Sequence, residues 1–406
     1  MKTIMVVAGG TWQVPLIKRI KKMGYRVVNT NLYPDSVGFQ YADQNGVMNV
    51  LDKESNLNFA KENYVDAVLT EQSDIAVPTV AYIAEKIGCC GIGRDMAELF
   101  TNKYKMREFC QKNNFAFPEY CLCENVDQAI EFFRNLKKDV IIKPLDSQSS
   151  RGVFTIQTEE EMREMYPIAE SYTNKGNYVL VERYIKGTEF TVDGLVLNEK
   201  HHTLAISEKS HFEYNPNIAS KLFFTYQNEK FDYDCLRDTN NAIIDKAGLK
   251  NALTHAEYKF EEGKFYLIEM AARGGGTRIS SDIVPYVSGV DNYKYLIEAS
   301  VGVKNQVEEI ELDVKEECKE HCAVLSFLDI ESNGKQIEKI EGIEKIRAIP
   351  EVIAFEVEFS EGDIIERAQD DRSRVGFYII CAEDKKRLEE VTEIINRTFK
   401  ITFKQI

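Results

Sequence analysis

The run Val140-Ile141-Ile142-Lys143-Pro144-Leu145-Asp146-Ser147-Gln148-Ser149-Ser150-Arg151-Gly152-Val153 decides the fold. An apolar strand ends in a lysine and passes into a loop of small residues, so a cation is delivered to the root of a loop whose backbone N–H groups stand unshielded. Downstream come Val179-Leu180-Val181-Glu182-Arg183-Tyr184-Ile185 and Lys186-Gly187-Thr188-Glu189. Two apolar segments follow, each carrying one acid, Glu257 and Glu269, and the second runs into Arg273-Gly274-Gly275-Gly276.

Each part suits the grip on a nucleoside triphosphate. Phosphoryl oxygens need ammonium or guanidinium groups and backbone donors, which Lys143, Arg273 and the loop from Ser147 to Gly152 supply. Magnesium takes hard oxygen ligands and is satisfied by one or two carboxylates with phosphate and water, so Glu257 and Glu269 are the metal candidates. The segments Thr254 to Phe260 and Phe265 to Met270 flank Glu261-Glu262-Gly263-Lys264 and read as a hairpin. Because strand side chains alternate, the two acids share a face only if the loop holds an odd number of residues, so a loop of roughly three or five is predicted.

On these motifs the run resembles an ATP-grasp domain, and the whole chain resembles the ATP-grasp carboxylate–amine ligases, of the carbamoyl-phosphate synthase and phosphoribosylglycinamide synthetase kind. The resemblance implies an α/β protein: an N-terminal doubly wound parallel-sheet domain, then a two-lobed ATP-grasp α+β fold with a C-terminal extension. It places the first domain at residues 1–95, the small lobe or lid at 96–186, the large lobe at 187–305 and the extension completing it at 306–406. It implies ATP contacts from Lys103, Lys143, Ser147, Ser150, Gly152, Val153 and Arg183, with Glu182, Tyr184 and Ile185 at the adenine and Glu189 at the ribose. Glu257 and Glu269 would hold Mg2+, for which Mn2+ can substitute, and Arg273 and Lys143 would be the catalytic cations. Two departures stand out: the loop is poorer in glycine than most of the family, and the usual Glu-x-Asn is Glu269-Met270-Ala271, which removes a neutral metal ligand.

Composition bounds the reading. The 406 residues suffice for several lobes and a large core, and 29% charged with 44% hydrophobic residues is globular usage. A formal charge of −15 argues against a general nucleic-acid surface, so phosphate binding must be local. No apolar run reaches the ~18 residues of a membrane span, and the first residues enter a strand–turn pattern too directly for a signal peptide; the expectation is a cytoplasmic protein with no membrane partner. Nine cysteines include Cys318-Lys319-Glu320-His321-Cys322, half of a zinc pattern without a second half, and are read as free thiols.

Along the chain, residues 2–8 form a strand ending at Gly9-Gly10-Thr11, followed by a helix through Val14, Leu16, Ile17, Ile20 and Met23 and a strand from Tyr25 to Thr30. The full G-x-G-x-x-G spacing is absent, so Gly9-Gly10 reads as a structural turn. A strand over 66–70 leads through Glu71-Gln72-Ser73-Asp74 into a helix to Ile87, capped by Ser73 and stopped by Gly88. That strand end is where open parallel sheets bind ligands. A helix from Asp95 to Lys112 carries Lys103, and the helix Val126 to Leu136 crosses the small lobe. His201 and His202 are expected to face solvent, whereas Lys209, His211 and Arg278 are candidate substrate contacts, with Arg372 and Arg374 within reach from the extension.

No Ser/His/Asp or Cys/His nucleophile constellation is evident, which suits chemistry done by positioning and charge neutralisation. The resemblance implies an ADP-forming ligase working through an acyl phosphate, its partners being ATP and small carboxylate and amine substrates, with room for a homodimer. An amino-acid or peptide acceptor is favoured because Arg278 could meet a free carboxylate. The alternatives are a phosphoribosylamine–glycine ligase and an ATP-binding sensor without catalysis.

Overall fold

The computed structural model describes residues 1–145, 151–173, 178–303 and 312–404. Among these the strands form four sheets.

The N-terminal lobe contains β1 (Thr3–Val7), α1 (Val14–Lys22), β2 (Arg26–Asn31), β3 (Gln44–Val47), α2 (Lys53–Glu62), β4 (Ala67–Leu69) and α3 (Val77–Ile87). Its parallel sheet runs β3-β2-β1-β4. Alternation in β1 sends Ile4 and Val6 into one core with Leu16, Ile17 and Ile20 of α1, and Met5 and Val7 into another with Leu57, Ala60 and Ile83 from α2 and α3. Helices therefore cover both faces, as expected of a doubly wound sheet. The Gly9-Gly10 turn is built on the buried amide of Asn29, whose Nδ2 donates to the carbonyls of Val6 (2.7 Å) and Ala8 (2.8 Å).

Two helix readings need correction. The helix expected from Asp74 begins as a single 3-10 turn, Asp74–Ala76, with no side-chain cap from Ser73; α3 starts at Val77, with Pro78 in its first turn, and stops at Gly88 (φ 74°) as expected. The helix expected from Asp95 to Lys112 is two, α4 (Arg94–Leu99) and α5 (Lys103–Asn113). Asn102 breaks the run, its side chain accepting from Lys105 N at 3.1 Å, so that Lys103 opens α5.

In the small lobe β5 (Tyr120–Cys123), β6 (Val140–Pro144), β7 (Phe154–Ile156) and β8 (Val179–Arg183) pair antiparallel in the order β5-β8-β6-β7. On one face Val140, Ile142, Val179 and Val181 pack with Ala129 and Ile130 of α6 (Val126–Leu136) and with Met162 and Tyr166 of α7 (Glu159–Ser171). The alternate residues, Ile141, Lys143 and Glu182, face the cleft.

The large lobe is one sheet of eight strands among the described residues. It comprises β9 (Thr188–Leu197), β10 (Lys200–Phe212), β11 (Asn215–Phe224), β12 (Ala252–Glu261), β13 (Lys264–Ala271), β14 (Cys322–Phe327), β16 (Val352–Val357) and β17 (Gly376–Ala382), in the order β13-β12-β9-β10-β11-β14-β17-β16. Pairing of Lys221–Phe224 with Ala323–Ser326 lets the C-terminal strands continue the sheet. The helices here are α8 (Tyr233–Ala247), α9 (Val284–Ser288), α10 (Asn292–Ser300), α11 (Ile343–Arg347) and α12 (Lys385–Thr398); β15 (Ile337–Glu341) pairs with β18 (Lys400–Phe403). One sheet face, with Phe190, Val192, Ala256, Tyr258 and Leu267, packs on α8 and α5. The other is apolar at Leu195, Leu197 and Leu253, where it meets α10 and the N-terminal lobe, and polar beyond them.

His201 and His202 are not at the surface. His201 is buried between Asn241 (Nδ1, 2.7 Å) and Thr254 (Nε2, 2.7 Å), and burial lowers its pKa to about 4; His202 is buried too. Alternation along β10 sends the two to opposite faces of the sheet, and both faces are covered there. All nine cysteines are free, and the described residues contain no cluster of three or more His, Cys, Asp or Glu side chains able to hold a metal, so Cys318-to-Cys322 forms no zinc site there. No helix among the described residues is long and apolar enough to cross a membrane.

Candidate active site

A cavity of about 610 Å³ lies between the lobes, within the usual range of roughly 300–1,000 Å³ for small-molecule sites. Its floor is the polar face of the large sheet. Period-two alternation brings Glu189, Thr191 and Asp193 of β9, Ser207 and Lys209 of β10, and His255, Glu257 and Lys259 of β12 to one side.

The loop joining β12 to β13 is not of odd length. Glu261 pairs with Lys264, leaving a two-residue turn, Glu262 (φ 49°) and Gly263 (φ 80°), whose mirror-image geometry suits strand twist. Such a turn alone would send the two acids to opposite faces. A bulge corrects the parity: Tyr258 pairs with Leu267 and Glu257 with Glu269, so Ile268 is the extra residue. Glu257 and Glu269 stand directly opposite each other, and both line the cavity.

Both are already met by cations. Lys103, at the start of α5, donates to Glu269 Oε1 (2.9 Å), and Lys209 donates to Glu257 Oε1 (3.1 Å) and Glu189 Oε1 (2.5 Å). Burial would raise the pKa of Glu257, but Lys209 and His255 outweigh it and hold the carboxyl well below its usual range. Glu189, predicted at a ribose, also faces His211 Nε2 (3.3 Å) and Lys259 (3.8 Å). Burial opposes its ionisation, yet Lys209 and His211 bring it down to about 2.

Across the cleft Lys143 donates to Glu182 Oε2 (2.8 Å). The other oxygen of Glu182 accepts from Nε of the buried Arg107, whose Nη2 donates to the carbonyl of Ile268 (2.6 Å). Glu182 was predicted at the adenine. With both oxygens taken and no solvent exposure, it instead fixes Lys143 and ties the small lobe to the hairpin. Its neighbour Arg183 clamps Glu119 and Glu261, leaving Tyr184 and Ile185 as the uncharged hinge residues on the cavity wall.

Val153 lines the cavity, and Gly152 beside it has φ +70°, with Tyr172 and Pro144 where a Cβ would stand, so only glycine fits. Ser147 and Ser150 lie outside the described residues.

Arg273 reaches the cavity while its guanidinium forks onto Asp74 (2.8 and 2.6 Å). Glu71 accepts from Ser280 Oγ (2.7 Å) and Gly274 N (3.4 Å), so the N-terminal lobe holds the glycine run from beneath. Gly275 packs on Asp193, which would lie 2.6 Å from a Cβ there. Arg278, predicted to meet a substrate carboxylate, is not on the cavity wall: its guanidinium is spent on Asp282 (3.1 and 2.8 Å) and on the Ile353 carbonyl (3.3 Å). Arg372 and Arg374 do line the cavity.

Arg107, His255, Asp193, Lys259 and Trp12 were absent from the predicted set. The alternation in Thr254-His255-Ala256-Glu257-Tyr258-Lys259 and in Glu189-Phe190-Thr191-Val192-Asp193 carried the signal for three of them. His255 donates to Asp193 (3.0 Å) with Nε2 3.9 Å from Glu257. Burial disfavours its charge, but the two carboxylates lift its pKa to about 9.

Residues 136–282 match the family model of the ATP-grasp domain, and the chain carries that domain. Residues 326–404 match L-amino acid ligase C-terminal domain 2, so the strands that continue the large sheet carry a family signature of their own. Among curated relatives, the carbamoyl phosphate synthase large chain of Clostridium perfringens is 24% identical over 290 residues, covering 68% of this chain and 26% of that protein. The chain thus spans about a quarter of the length of that relative. The D-alanine–D-alanine ligase of Pelagibacter ubique is 24% identical over 311 residues, covering 71% of this chain and 92% of the relative. Among solved structures, the L-amino acid ligase from Bacillus licheniformis superposes with a TM-score of 0.81 at 17% identity, covering 100% of this chain and 99% of that one, and shares the fold.

Proposed function

We propose that this chain is an ADP-forming ligase that joins a carboxylate to an amine, with amino acids as substrates. The observation that carries the reading is the convergence of Lys103, Lys143 and Arg273 with the directly opposed Glu257 and Glu269 on one cavity. The ligase name of the Pelagibacter ubique relative and the match to an L-amino acid ligase domain support the same class.

Glu257 and Glu269 fit a magnesium site that the nucleotide completes: two hard carboxylate donors side by side, with no full protein cage among the described residues, which is how Mg2+ is bound where phosphates supply the remaining oxygens. Bound Mg2+ would neutralise phosphoryl charge. Lys103 and Lys209 compensate those carboxylates, and with Glu257 and Glu269 holding Mg2+ both lysines would be available to phosphate oxygens.

In the reaction the first substrate's carboxylate attacks the γ-phosphorus of ATP, giving an acyl phosphate and ADP. The second substrate's amine attacks the acyl carbon, the C–O bond to phosphate breaks, and the amine gives up a proton as the amide forms. Lys143, fixed by Glu182, and Arg273, fixed by Asp74, meet the charge that moves with the phosphoryl group.

The test is ADP release from ATP and Mg2+ with pooled amino acids. Release that needs both an acid and an amine, with a dipeptide detected by mass, is the expected result. Release independent of added substrate, or none with any pair, would overturn the reading.

A further inference from the structure

One end of the cavity is made of parts that the nucleotide does not call for. Trp12 from the N-terminal lobe meets Phe377 at 6.0 Å between ring centroids, and Phe377 meets Phe327 at 6.4 Å, both pairs tilted by 57°. All three rings line the cavity, so this aromatic wall is drawn from both ends of the chain and faces a polar chamber.

Above it stands Arg374. Its guanidinium lies 3.7 Å from the centroid of Phe327, and its side chain is 14% exposed. Among the described residues its only hydrogen-bond acceptor is Asp371, taken by Nη2, while Nε is buried with none. A buried donor without an acceptor is destabilising, and a planar guanidinium with donors to spare is matched best by a carboxylate.

Resting on the ligase reading, we infer that Trp12, Phe327, Phe377 and Arg374 form the subsite for the amine-bearing substrate. Its ligand is an α-amino acid with a large apolar or aromatic side chain. The guanidinium takes the α-carboxylate, the three rings take the side chain, and the amine is left facing the site of acyl transfer. A carboxylate held this way is the one that stays unphosphorylated, which assigns the molecule its role as acceptor.

Trp12 is the only tryptophan in the sequence, so its emission reports on this wall alone. The full chain, with Mg2+ and a non-hydrolysable ATP analogue, is titrated with L-phenylalanine, L-leucine, L-serine, phenethylamine and inorganic phosphate. L-Phenylalanine and L-leucine are expected to change the emission saturably. L-Serine lacks the apolar side chain, phenethylamine lacks the carboxylate, and each should need at least tenfold higher concentration. Arg374→Gln should weaken L-phenylalanine at least tenfold, with Arg374→Lys intermediate, and the rise in unfolding temperature caused by the ATP analogue shows that each variant is folded. Should Arg374→Gln not fold, the Arg374→Lys result and the ligand series decide. Equal responses to serine or phenethylamine, unchanged L-phenylalanine affinity in the variants, or displacement of L-phenylalanine by phosphate would overturn the subsite. ADP release driven by small polar amino acids with no tryptophan response to L-phenylalanine would sink the subsite and leave the ligase standing. A saturable L-phenylalanine response with no ADP release for any pair would do the reverse.

Discussion

Asp74 and Arg273 lie 199 residues apart in the chain and meet in two parallel hydrogen bonds, Nε to Oδ1 at 2.8 Å and Nη2 to Oδ2 at 2.6 Å. The carboxylate belongs to the turn after a strand of the N-terminal sheet, and the guanidinium to the segment just past the second acid of the hairpin. One fork thereby aims the arginine and joins two lobes.

Asp74→Ala leaves that guanidinium without its counter-charge in a mostly buried setting. The expected loss of stability is about 3 kcal/mol, the lower end for breaking a buried pair, because both side chains keep some solvent contact. Urea unfolding of the variant measures it. ADP release should fall in kcat more than KM for ATP rises, since the arginine is misdirected rather than removed.

Glu269→Gln and Glu257→Gln each delete one charge from the opposed pair. Each is expected to lower ADP release by about 10²–10³-fold, the scale of losing one electrostatic contact to a reacting group. Lys143→Ala should do the same. Steady-state assays across a Mg2+ series check this, and near-normal turnover in any of the three would contradict the assignment.

Glu182 couples acid stability to the site. Burial opposes its charge, but Arg107 and Lys143 bring its pKa down to about 2 from 4.5. The folded chain therefore keeps this carboxylate ionised after the unfolded chain has protonated it. The resulting stability, about 3 kcal/mol, is present above pH 4.5 and lost as pH falls towards 2. In Glu182→Gln this part of the acid transition should vanish, as read from unfolding free energies between pH 2 and pH 6.

Glu71 gives the opposite slope. Burial pushes its pKa up to about 7 from 4.5, against the hydrogen bonds from Ser280 and Gly274 and the charge of Arg273. The folded chain holds this proton where the unfolded chain has released it, so the contribution is complete below pH 4.5 and lost as pH rises through 7. Glu71→Gln should gain on the wild type across that window, by up to about 3 kcal/mol above pH 7, in parallel chemical denaturation series.

The order of strand, lysine, hinge and acid pair could be read before any coordinates, because each rests on local pattern. The helix Val126–Leu136 and the strand ending in Lys143 came out at or within a residue of their predicted limits. What could not be read was set by non-local pairing. Nothing in Phe265-Tyr266-Leu267-Ile268 marks Ile268 as the unpaired residue, since any apolar side chain there looks like strand. Glu182 looks like a ligand contact until Arg107 arrives from 75 residues away to occupy it. Arg278 looked available because Asp282, one helical turn on, was not weighed as its partner. His201 and His202 were misread because a polar pair was taken for a turn when it opens a buried strand.

The turn at Glu262-Gly263 and the bulge at Ile268 each shift alternation by one residue, and only together do they cancel. The facing of the acids thus depends on where along the hairpin a residue is added or lost. A residue removed at the Ile268 bulge or added in the turn leaves Glu257 opposite Glu269 so long as the flanking pairs are kept, whereas one inserted into the paired ladder between the turn and either acid would turn that carboxylate into the apolar layer beneath the sheet. Redesign of this hairpin is therefore free at its two irregular points and constrained along the paired stretch that joins them.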